Sequence, residues 1–206
     1  MALLLYFVLG AAHLAALAAG VPVAEFVTKA LLMPVLAFWL HRSGGPRLVV
    51  AGLALSAGGD VALEFDGFFI VGMGFFAAAH ICYVVFFGRF FRAAGGLRWA
   101  VVGAYGVVWA VLVAVLWSGL GDLQLPVAGY SLLLTATAVV TAVQGLWTGL
   151  GGALFLLSDT LIAVGIADLD FAGRGLLVMV TYIAAQYLLA SGSLRSGVRA
   201  AVSGRP

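Results

Sequence analysis

Residues 53–64 read LALSAGGDVALE and place an aspartate, Asp60, inside a stretch that is otherwise apolar enough to cross a bilayer. Farther along, residues 154–163 read LFLLSDTLIA and set Asp159 in the same kind of surroundings. A carboxylate is costly in hydrocarbon, so an acid within a membrane span is a functional candidate by default. The rest of the chain is read outward from these two acids, as the scaffold that holds them near a common point.

The chain has 206 residues, of which 65% are hydrophobic and 9% charged, and its mean hydropathy is +1.20. A soluble domain carries roughly 25% charged residues. This composition cannot cover a water-facing surface, so the chain is an integral membrane protein of one domain, 1–192, with a basic tail at 193–206 expected to be cytoplasmic and disordered. The single cysteine, Cys82, excludes an intramolecular disulfide. The net charge of +2 is small and dispersed, which excludes nucleic acid as a partner. Nine arginines against one lysine, with abundant Ala, Gly and Val, point to a GC-rich bacterial genome and hence to the inner membrane. The apolar N-terminus lacks the positive start of a signal peptide and is read as a retained first helix.

A helix needs ~20 apolar residues to span a bilayer. Glycine, proline and charge punctuate this chain into eight such pieces, at 2–20, 23–41, 47–65, 68–91, 98–117, 126–145, 149–167 and 173–191. Charge placement supports the division. Arg42, Arg47, Arg89, Arg92, Arg98, Arg195, Arg199 and Arg205 follow even-numbered spans, whereas Glu25, Glu64, Asp66, Asp122, Asp168 and Asp170 follow odd-numbered ones. Arg174 alone breaks the pattern. The expected fold is therefore an all-α, polytopic bundle of eight transmembrane helices with both termini cytoplasmic.

Few polar groups remain at membrane depth. At ~1.5 Å per residue, Lys29, Asp60 and Asp159 fall in the outer half, away from the arginine-bearing side. Asp159 is the deeper of the two acids. Asp60 and Glu64 share a helix face, as do His80 and Tyr83, and Tyr182 and Gln186. One-sided polar stripes suit an inward-facing site on a bundle. His13 reads as a packed, hydrogen-bonded histidine. Ser158, Thr160 and the threonines of the sixth span read as bonded to their own helix backbone. Glu64 reads equally well as a solvated helix-end acid. For Asp60 and Asp159 the plainer alternative is a structural pair with Lys29, but one lysine cannot neutralise two aspartates. One acid then stays protonated beside an ionised one, which is the arrangement for acid and base work. A zinc site from Asp60, Asp159 and His80 is the minority alternative. Asp60 to Tyr83 and Asp159 to Tyr182 are equally spaced in sequence, as a parallel repeat of spans three–four and seven–eight would require.

Four ordered blocks resemble the YhhN/TMEM86 family, the lysoplasmalogenases. They are TKALLMP at 28–34, GDVAL at 59–63 with the run at 68–87, LFLLSDTLIA at 154–163, and YIAAQYLLASG at 182–192. The resemblance implies about eight membrane helices and hydrolysis of the vinyl ether bond of lysoplasmalogens, with a lysophospholipid substrate taken from the membrane. It carries over to Lys29, Asp60, His80, Asp159, Tyr182 and Gln186; spans one, five and six add only hydrophobicity.

Vinyl ether cleavage needs a proton on the β-carbon and water at the α-carbon, a problem glycosidases solve with two carboxyls. Asp159 is the candidate proton donor, Asp60 the candidate base, and the reverse assignment stays open. His80 joins them as a third catalytic candidate. Lys29, Glu64, Tyr83, Tyr182 and Gln186 are the candidate substrate-binding residues, with no metal and no cofactor called for. The competing reading is a small proton-coupled lipid or metabolite transporter, since intramembrane acids with one lysine also suit a proton relay.

Overall fold

The computed structural model describes residues 1–203, with side chains to residue 196 except at residue 93. Among these residues there are eight α-helices and no strand: α1 (Ala2–Ala19), α2 (Pro22–Arg42), α3 (Arg47–Ala62), α4 (Phe69–Gly88), α5 (Leu97–Leu116), α6 (Gln124–Ala142), α7 (Leu146–Ile166) and α8 (Arg174–Ser203). Seven are long and apolar enough to cross a membrane. The protein is thus a multi-pass membrane protein, and the even helix number returns the chain to the arginine-bearing side.

The exception is α3. Its 16 residues rise ~24 Å, short of the ~30 Å hydrocarbon core. It stops at Ala62, earlier than its hydrophobic pattern suggests, because the backbone N–H groups of Glu64 and Phe65 bond three residues back to Val61 and Ala62 and tighten the turn. Gly67 then supplies a positive φ of 82°. The early turn leaves Asp60 in the last turn of α3, where it is buried among the neighbouring helices.

At the other end α8 runs past residue 191 to Ser203. Ser193 and Ser196 are buried. Their hydroxyls donate back to Ala190 O and Gly192 O, and the Arg195 guanidinium stacks 4.4 Å from the Trp147 ring. Residues 204–206, including Arg205, lie outside the described residues, and the Arg199 side chain outside the described side chains.

Half of the most apolar window of α8 is buried, against 6% for α5. The former is a central helix, packed on α1, α2, α3 and α7; the latter lies at the edge against α6. Lipid offers no hydrophobic drive between helices, so close packing has to hold them together. Gly59 and Gly72 do this for α3 and α4: a Cβ on Gly59 would sit 2.6 Å from the Phe76 ring, and one on Gly72 2.7 Å from Leu63. The contact lies one residue from Asp60.

Candidate active site

The geometry of α3, α7 and α8 brings both acids to one place. Asp60 and Asp159 line a single cavity of about 40 Å³, together with Lys29, Ser158 and Tyr182. Asp60 is 3% exposed, and its Oδ2 accepts a 2.7 Å hydrogen bond from the Tyr182 hydroxyl on α8. Asp159 is only half-buried, because it borders two further cavities. Its Oδ2 accepts a hydrogen bond from the Tyr130 hydroxyl of α6. Each carboxyl therefore has one tyrosine partner from a neighbouring helix. Asp60 is thus the more enclosed of the two acids.

Lys29 reaches this cavity from α2. Its Nζ donates to Glu64 Oε1 at 2.7 Å, so the lysine pairs with Glu64 rather than with Asp60. The pair is partly exposed, and such pairs contribute only ~0–1 kcal/mol to stability. Its structural effect is to tie α2 to the turn after α3 and to hold one cation at the edge of the cavity.

Behind Asp60 the polar groups continue as a chain. The Tyr83 hydroxyl donates to Gln186 Oε1 at 2.9 Å, and Gln186 Nε2 donates to Ser56 Oγ at 3.0 Å. Tyr83, Gln186 and Ser56 are fully buried. A buried amide left unpaired is costly, so this network fixes the rotation of α8 against α3 and α4 and thereby aims Tyr182. Tyr83 does not meet Asp60, so the equal sequence spacings do not correspond to equal contacts: Asp60 pairs with α8 and Asp159 with α6.

His80 is placed differently. It is fully buried, lies outside the lining of the shared cavity, and packs its ring 4.5 Å from that of Phe155. The Thr137 hydroxyl already donates to Leu133 O, so His80 Nδ1, 3.0 Å from Thr137 Oγ1, acts as the donor. Its Nε2 has no partner. Among the described residues no group of three or more His, Cys, Asp or Glu side chains is arranged to hold a metal ion. His13 is packed and bonded through Nδ1 to Thr28 and Glu25 O, as expected. Ser158 departs from expectation: its hydroxyl crosses to Val178 O on α8, because at that point α7 and α8 lie side by side.

Tyr130 is the residue that sequence reasoning missed. In the sixth span the threonines draw attention as backbone-bonded hydroxyls, and the only signal for Tyr130 is a tyrosine within an apolar run.

A model of the YhhN family matches residues 24–193, a span that holds every side chain of this site. The chain belongs to the YhhN family. Beyond the family match, the chain is similar to the lysoplasmalogenase TMEM86B of Homo sapiens, 36% identical over 160 residues, covering 77% of this chain and 69% of that protein. It is 32% identical to a lysoplasmalogenase of Mycobacterium tuberculosis (strain CDC 1551 / Oshkosh) over 156 residues, 71% of this chain and 60% of the relative. It is 31% identical to the lysoplasmalogenase TMEM86A of Bos taurus over 192 residues, 81% of this chain and 72% of the relative. The matched stretch thus spans less than two thirds of the mycobacterial protein. No solved structure matches the chain.

Proposed function

We propose that this YhhN-family protein is a membrane hydrolase that cleaves the vinyl ether bond of lysoplasmalogens, releasing a fatty aldehyde and a glycerophospho-ethanolamine or -choline. The observation that carries the reading is the pair of carboxyls, Asp60 and Asp159, on one cavity wall with Lys29 beside them. The names of the relatives supply the substrate class.

Asp159 protonates the β-carbon of the vinyl ether, and the electron pair of the double bond forms the new C–H bond. The α-carbon becomes an oxocarbenium ion, stabilised by the opposing carboxylate. Asp60 takes a proton from water as the water oxygen bonds to the α-carbon. The resulting hemiacetal collapses, its hydroxyl proton passing to the departing glycerol oxygen, so one water is consumed for one aldehyde and one alcohol. Asp159 suits the donor role because it alone of the pair also borders apolar cavities, where the carbon end of the substrate would lie. Lys29 supports the phosphate or the charge on the carboxylate. Water is admitted in small amounts only, since about 40 Å³ holds no more than a few molecules. The arginine-rich, Ala/Gly-rich composition supports a bacterial inner-membrane setting.

The test is mass spectrometry of purified protein incubated with alkenyl, acyl and alkyl ether lysolipids, with and without a chelator. The expected result is aldehyde from the alkenyl lipid alone, unaffected by chelation. Asp60→Asn and Asp159→Asn should each lower turnover on the order of 10³-fold with the bundle intact. Normal turnover in either variant refutes the assignment.

A further inference from the structure

Asp159 stands at the junction of two chambers, one with charged and apolar walls and one almost wholly apolar. The first is the cavity it shares with Asp60, Lys29, Ser158 and Tyr182. The second, about 50 Å³, is walled by Phe69 and Met73 of α4, Val127 of α6, and Ile162, Ala163 and Ile166 of α7. Its polar lining consists of Asp159 and Tyr130 alone, and these two are bonded to each other. The chambers share Leu63, Phe76, Asp159 and Ile162, so they abut, and Asp159 is the one polar group common to both.

Resting on the function proposed above, we propose that the second chamber seats the head-proximal methylenes of the substrate's single hydrocarbon chain and thereby sets which carbon meets Asp159. A lysolipid has a polar head and one apolar chain joined at the reactive link. A site with a charged chamber and an apolar chamber meeting at one carboxyl matches that order along the molecule. The chamber is built from the start of α4, the start of α6 and the end of α7, all at the end of the bundle where Arg174 is the lone arginine. The chain therefore comes from that half of the bilayer. With about 50 Å³ the chamber takes a few methylenes and leaves the rest of the chain among lipid tails. A third cavity between α5, α6 and α7 also touches Asp159. It shares no other wall residue with the carboxylate chamber, so a chain seated there would not run on from the charged end of the site.

The experiment compares aldehyde release from a long-chain alkenyl lysolipid and from an analogue whose chain is cut back to the vinyl carbons. Ile166→Trp and, independently, Met73→Trp fill the chamber and should raise KM for the long-chain lipid about tenfold, as expected for displacing a couple of methylenes from an apolar wall. The truncated analogue should change by no more than about twofold. Leu112→Trp, which fills the third cavity instead, should leave the ratio of the two substrates as in the unmodified protein. An unchanged ratio in both chamber variants, or a shift produced by Leu112→Trp instead, overturns the chain seat while leaving the hydrolase reading in place. Absence of aldehyde from both substrates in the unmodified protein overturns the hydrolase reading itself, and the chain seat with it.

Discussion

Gly59→Ala tests whether catalysis depends on the close approach of α3 to α4. The added methyl would lie 2.6 and 2.7 Å from the Phe76 ring and 3.2 Å from Gly72 O. Carbon atoms pack at ~3.5–4.0 Å, so the helices must separate, or the ring must move, by about 1 Å. Phe76 cannot turn freely. It is buried, its ring lies 6.0 Å from that of Tyr182 and 6.4 Å from that of Phe155, and it lines both chambers. Overpacking of this kind costs ~1–3 kcal/mol of stability. The larger effect should be on chemistry. Asp60 is the next residue on the helix, and a 1 Å misplacement of a reacting group can cost ~10²-fold in rate. The assay is aldehyde release by purified protein in detergent, with thermal unfolding followed in parallel. We expect kcat to fall about a hundredfold while the protein stays folded at the assay temperature. Gly74→Ala is the matched control, since nothing lies within 4 Å of its Cβ, and it should retain normal turnover. A Gly59→Ala protein with the kcat of the unmodified chain would show that the spacing of α3 and α4 does not set the carboxyl geometry.

Two other consequences can be measured. Tyr130→Phe removes the hydroxyl that positions Asp159; leaving an enclosed acceptor without its partner costs ~1–3 kcal/mol, so kcat should drop roughly 10- to 100-fold with KM nearly constant, and a rise in KM with kcat unchanged would argue against positioning. At the α7–α8 turn, the Arg174 guanidinium and then the Phe171 N–H hold the Asp170 carboxyl below the usual aspartate range. The folded value is depressed, so any stability from this contact is present above the ordinary carboxyl range and fades as pH falls through the folded value. NMR titration of Asp170 should show a midpoint below ~3.9 that moves up in Arg174→Gln, and an unshifted midpoint would refute the pairing.

The lone arginine on the acidic side illustrates how tertiary structure resolves what the sequence leaves as an exception. Arg174 donates to Asp170 at 2.7 Å and also to Leu161 O at 3.3 Å. A side chain on Gly165 would collide with its guanidinium. It works as a clasp between α7 and α8, not as a topology signal. Lys29 is a similar case. An ion pair was legible from its neighbours in sequence, but Glu64, not either aspartate, is the partner.

The membrane setting, the eight helices and the inward placement of Asp60 and Asp159 were determined by the sequence alone. Each follows from a local cost that can be read one residue at a time: apolar length against bilayer thickness, arginine against one face, a carboxyl in hydrocarbon. What only the tertiary structure decided is which hydroxyl meets which carboxyl. Tyr182 rather than Tyr83 reaches Asp60, Tyr130 comes from a span whose only polar signal was its threonines, and His80 turns to Thr137 instead of the shared cavity. Those outcomes depend on how each helix is rotated about its own axis. That rotation is set by the close approach of α3 and α4 at Gly59 and Gly72, and by side chains far away in sequence, such as Gln186 against Ser56 and Tyr83.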